Sequence, residues 1–195
     1  MRRRSDEQAV SAHGRMKHLT SEGLLPGVDY RPSPNCDERP PGEPIRLLVI
    51  HAISLPPGRF GGDGIACLFA NSLDPEQHPY YRQIQALRVS AHFLIRRRGE
   101  LIQFVPCAKR AWHAGASQWR SRERCNDFSI GVELEGSDER PFTAPQYRRL
   151  AALTEVLRHS YPIEDVVGHS DIAPGRKTDP GPFFDWARFR CMLIR

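Results

Sequence analysis

The chain has no Cys-x-x-Cys pair and no His-Glu-x-x-His, and no apolar run approaches the roughly 18 residues of a membrane helix. Its five cysteines, Cys36, Cys67, Cys107, Cys125 and Cys191, are odd in number and scattered. A disulfide framework and a four-thiolate zinc site are thereby excluded, and reduced thiols are expected. The opening Met-Arg-Arg-Arg is not followed by the apolar segment of a signal peptide. The expected compartment is therefore the cytoplasm, with no membrane partner. Aromatic residues make up only 9% and do not alternate with basic ones, so no base-stacking groove for nucleic acid is expected. The net charge of +5 is modest, and residues 1–16, with four Arg against one Asp and one Glu, hold +2 of it. A cleft that takes a carboxylated substrate accounts for such an excess as well as a solvated basic surface does.

What is present suits one domain. A chain of 195 residues that is 39% hydrophobic can bury a single sizeable core. Residues 1–25 begin as a polar, patternless stretch and are expected to form a disordered extension, with the folded domain at 26–195. Residues 26–44, rich in Pro, Gly and acidic residues, read as an extended arm.

The apolar run Ile45 to His51 predicts a buried central strand ending in a histidine. Short helices are expected at 65–70 and 79–86. Residues 91–96 and 100–105 flank Arg97-Arg98-Gly99 as a β-hairpin. In the strand 128–134, alternation puts Phe128, Ile130, Val132 and Leu134 on one face, with Ser129, Gly131 and Glu133 on the other. A helix over 144–160 starts with a Thr143–Gln146 capping box and carries Tyr147, Leu150, Ala151, Thr154 and Leu157 at helical spacing. A strand at 165–168, a long loop to Pro182 and a helix at 185–193 complete the pattern. Strands interleaved with helices give an α/β domain with a central mixed sheet flanked by helices.

Three places combine polar groups with apolar support. His51 ends a buried strand, where α/β sites collect, although a satisfied core histidine would read the same. His92, in Ser-Ala-His, reads as such a satisfied strand histidine. The loop 168–182 sets His169, Asp171, Lys177 and Asp179 among Gly and Pro, which hold a loop's shape at low entropic cost. Glu133 lies on a central strand, where a carboxylate must be paired or working, and Glu135 competes with it. His51, His169 and Asp179 would supply two imidazoles and one carboxylate, a donor set that suits zinc with a position left for water.

A longer pattern adds to this reading. Val-Ile-His-Ala-Ile-Ser-Leu-Pro-Pro-Gly, Leu-Arg-Val-Ser-Ala-His, Lys-Arg-Ala-Trp-His-Ala-Gly, Asn-Asp-Phe-Ser-Ile-Gly-Val-Glu-Leu-Glu-Gly and Gly-His-Ser-Asp-Ile-Ala-Pro-Gly-Arg-Lys-Thr-Asp-Pro-Gly-Pro follow one another in order. Over about residues 31–190 the sequence resembles the AmpD amidases, the 1,6-anhydro-N-acetylmuramyl-L-alanine amidases of peptidoglycan recycling. These belong to the wider type-2 N-acetylmuramoyl-L-alanine amidases, which share a fold with peptidoglycan-recognition proteins and a phage lysozyme. The resemblance implies one catalytic zinc ion at His51, His169 and Asp179, and a catalytic pair of Glu133 and Lys177. The implied substrate is an anhydro-muropeptide cut between N-acetylmuramic acid and L-alanine, and the enzyme is expected to be a monomer. Arg88 and Arg124 suit the stem-peptide carboxylates, Trp112 and His113 an aromatic wall, and Tyr80 a lesser role near the metal. The sequence departs from the family at Ala52, where Asn usually follows the first ligand. The competing readings are a lytic amidase acting on intact wall and a binding module that does not cut.

Overall fold

The computed structural model describes residues 18–194. The strands are β1 (Asp29–Tyr30), β2 (Cys36–Glu38), β3 (Leu47–Ile53), β4 (Phe93–Ile95), β5 (Leu101–Gln103), β6 (Lys109–Ala111), β7 (Gln118–Trp119), β8 (Arg122–Glu123), β9 (Ser129–Glu135) and β10 (Asp165–Gly168). The helices are α1 (Gly64–Phe69), α2 (Pro79–Ile84), α3 (Ala144–Ser160), α4 (His169–Ile172) and α5 (Trp186–Leu193). Six strands form the main sheet in the order β1-β5-β4-β9-β3-β10. Only the β4–β5 hairpin is antiparallel; the other neighbours run parallel.

Each face of this sheet is covered, which is why β9 is buried along its length and β3 from Leu47 to His51. On one face Leu48, Ile50, Ile130, Val132 and Leu134 pack with Leu150, Leu153 and Leu157 of α3 and Phe189 of α5. On the other, Leu94 and Ile102 pack with Ile65, Leu68 and Phe69 of α1. Helix α3 begins as its sequence dictates. The Thr143 hydroxyl accepts from the Gln146 N–H and the Gln146 side chain accepts from the Thr143 N–H. The buried Gln146 amide also donates to the carbonyls of Ile95 and Glu135, tying the helix start to β4 and β9.

Three expectations need correction. Phe128 does not share a face with Ile130: it closes a 3-10 turn, Cys125–Phe128, and packs with Leu47, Val49 and Val167. The turn interrupts the two-residue alternation one position before the strand begins. The arm 26–44 is not merely extended, since β1 extends the main sheet and β2 pairs with β6. Arg39 pins this arm by donating to the carbonyls of Cys107, Asn126, Asp127 and Ser129. Of the expected 1–25 extension, residues 1–17 lie outside the described residues. Residues 18–25 pack on the domain: Leu25 is buried, its N–H donates to the Gln103 side chain, and that side chain donates back to the Gly23 carbonyl.

Candidate active site

The parallel strands β9, β3 and β10 lie side by side and deliver three functional residues to one sheet edge. His51 on β3 and Glu133 on β9 are direct register partners. Gly168, the last residue of β10, is paired with Ile50, so His169 starts α4 beside His51. Ligand sites of open α/β sheets form at such carboxyl ends. The loop after α4 then returns: the Ser170 N–H donates to the Asp179 carbonyl at 2.9 Å, and the Thr178 hydroxyl donates to Asp138 at 2.7 Å. The expected unstructured stretch to Pro182 thus contains the short helix α4, and its far end brings Asp179 back to His169.

Three ligand-type atoms meet there. His51 Nδ1 and His169 Nδ1 are 3.0 Å apart, and each is 3.1 Å from Asp179 Oδ2. His169 Nε2 lies 3.1 Å from the Ala114 carbonyl, which can only accept. That bond puts the proton on Nε2 and leaves a lone pair on Nδ1. Burial drives His51 down to about 4, so its imidazole is neutral. Burial pushes Asp179 up, but the close approach of the His169 and His51 rings outweighs it and holds the carboxyl below its usual range. Two imidazole nitrogens and a carboxylate oxygen that meet at one point form a donor set that suits zinc. Among the described residues this is the group so arranged.

Glu133 and Glu135, which the sequence leaves as competitors, differ sharply. Glu135 accepts from the N–H groups of Gly61 at 2.7 Å and Arg97 at 3.1 Å, so it is a structural carboxylate. Glu133 is buried, and its Oε2 has no hydrogen-bond partner. Burial, and then the charge of Asp179, push its pKa well above the ordinary carboxylate range. A buried carboxylate left unpaired is costly and marks a site that works on a proton.

A cleft of about 370 Å³ opens over these groups. Its lining combines His51, His113, Glu133, His169, Lys177 and Asp179 with Leu55, Leu68, Phe69, Tyr80, Ile84 and Val89. Ala52 also lines it. Tyr80, Lys177 and His113 therefore reach the cleft, but His113 turns its Nδ1 to His51 Nε2 at 2.9 Å. Three expected substrate contacts are not brought to it. Arg88 is exposed and donates to the carbonyls of Gln85 and Leu87. Arg124 pairs with Asp127 and lies on a separate groove with Arg176. Trp112 is not among the residues that line the cleft, whose aromatic wall side chains are Phe69 and Tyr80 instead. His92 is satisfied within the fold, accepting from the Gly131 N–H at 3.0 Å. Sequence reasoning passed over Leu68 and Phe69, because core packing and a substrate wall ask for the same apolar residues.

The model of the N-acetylmuramoyl-L-alanine amidase family matches residues 41–182. The 1,6-anhydro-N-acetylmuramyl-L-alanine amidase AmpD of Escherichia coli is 57% identical over 179 residues, spanning 91% of this chain and 98% of the relative. A crystal structure of a selenomethionine derivative of AmpD superposes with a TM-score of 0.87 at 57% identity, covering 90% of this chain and 99% of that one. The amidase AmiD of E. coli, in complex with the substrate anhydro-N-acetylmuramic acid-L-Ala-D-γ-Glu-L-Lys, superposes with a TM-score of 0.57 at 30% identity, over 80% of this chain and 60% of that one.

Proposed function

The chain belongs to the N-acetylmuramoyl-L-alanine amidase family, and from that premise we propose that it hydrolyses the amide between 1,6-anhydro-N-acetylmuramic acid and L-alanine in muropeptides released during peptidoglycan recycling. Its relatives of similar length bear the name of that activity. One zinc ion would be held by His51, His169 and Asp179. The meeting of their three ligand-type atoms beside the unpartnered Glu133 Oε2 carries the reading.

Bound zinc would polarise the scissile carbonyl and acidify a water. The chain's own groups do the rest. Glu133, its carboxylate free of other partners, takes the proton of the attacking water as the new C–O bond forms. It returns that proton to the alanine nitrogen as the C–N bond breaks, so the products are a free carboxyl on the muramic acid and a free amine on the peptide. The Lys177 ammonium, at the cleft lip, faces the charge that develops on the carbonyl oxygen. The apolar lining of Leu68, Phe69 and Ile84 excludes water from the cleft. Tyr80 also lines the cleft, and Lys177 is the cation among its lining residues.

The free thiols, two of them buried, suit the cytoplasm, where recycled muropeptides are processed. Metal analysis coupled to mass spectrometry of products from anhydro-muropeptide tests the proposal. One zinc per chain and a freed stem peptide are expected. Preferential release of peptides from intact sacculi would move the substrate to the wall, and absence of cleavage would leave a binding module.

A further inference from the structure

We propose that the dipeptide His113-Ala114, clamped by Asn126, is a bracket that orients both metal-binding histidines. The inference rests on the zinc reading above. His51 Nε2 and His113 Nδ1 are 2.9 Å apart, and His113 Nε2 and Ser129 Oγ are 3.1 Å apart. With His51 Nδ1 committed to the metal, its Nε2 carries the proton and donates to His113 Nδ1. His113 then carries its own proton on Nε2 and donates to Ser129. The adjoining residue serves the second ligand, since His169 Nε2 donates to the Ala114 carbonyl. One dipeptide, through a side chain and a carbonyl, thus sets the tautomer and ring orientation of both imidazoles.

The stretch is itself held. Asn126 Oδ1 accepts from the N–H of His113 at 3.1 Å and of Ala114 at 2.8 Å. Arg176 donates to the Ala114 carbonyl at 2.6 Å and to Ala116. His113 and Ala114 are both buried, so these bonds do not compete with water. Partners that hold the far nitrogen of a metal-binding histidine fix its orientation and raise its basicity, and their loss costs about 10- to 100-fold in metal affinity. His113 and Asn126 are therefore positioning residues.

Zinc affinity, measured by competition with a chromophoric chelator, reads this role without reference to turnover. His113→Phe, which keeps a ring but offers no acceptor, is expected to weaken zinc binding about 10- to 100-fold. His113→Gln restores an acceptor and is expected to recover most of it. Asn126→Ala acts on the backbone alone and is expected to weaken zinc about 10-fold, with Asn126→Asp restoring it. The asparagine pair keeps the test decisive should His113→Phe not fold. Wild-type affinity in folded His113→Phe or Asn126→Ala overturns the bracket while leaving the metal site intact. Failure of the wild-type protein to bind zinc overturns the underlying reading instead.

Discussion

Gly131 leaves open the space into which the ring of His113 is set. A Cβ at position 131 would stand 2.5 Å from His113 Cγ and 2.6 Å from its Nδ1. The contact lies on the face of β9 that also carries Glu133, so the strand supplies an acid to the cleft and room for the residue that backs His51.

Gly131→Ala is expected to destabilise the protein by about 1–3 kcal/mol, the usual cost of forcing extra volume into a packed interior. Denaturant unfolding measures it. Because the ring must move, zinc affinity should fall as well. A variant with unchanged stability and unchanged affinity would show that the ring can move aside freely.

Glu133→Gln should trade activity for stability. Loss of the base is expected to lower turnover about 100- to 10,000-fold. In metal-stripped protein the same change should be stabilising. The folded-state pKa of Glu133 lies well above its ordinary value of 4.5. Wild type therefore loses stability as pH rises from that value through the raised one, while the amide does not titrate. The advantage of the variant should be absent below about pH 4 and reach about 1–3 kcal/mol at neutral pH. Melting temperatures across pH test it, and a variant less stable throughout would contradict the buried-charge account.

Asp179→Ala should abolish stoichiometric zinc and turnover together, because two imidazoles alone form a weak site. Saturating a native-state site at a hundredfold excess over its dissociation constant stabilises a protein by about 2.7 kcal/mol. Wild type should thus melt higher on zinc addition, and the variant should not. A zinc-dependent rise in the variant would point to other ligands.

Glu135→Ala should do the reverse of Glu133→Gln. It strands the N–H groups of Gly61 and Arg97, at a cost of about 1–3 kcal/mol. Zinc content should stay at the wild-type value. Chemical denaturation and metal analysis separate the two glutamates; loss of zinc in Glu135→Ala would mean that the two are not independent.

Local pattern was enough for the elements that bear the site. The apolar run before His51 and the alternation from Ile130 to Leu134 each appear as strands within two residues of their expected bounds. The capping box of α3 appears as written. These follow from periodicity and from side chains bonding the backbone nearby, which are properties of short stretches. Similarity of motif supplied His51, His169 and Asp179 as a set. Tertiary structure alone decided which glutamate is free, because Gly61 and Arg97, which occupy Glu135, lie 74 and 38 residues away in the chain. It alone set the ring of His113 against His51, left Trp112 off the cleft, and folded residues 18–25 onto the domain. Such outcomes depend on strand register and on partners remote in sequence, and no local run of residues encodes either.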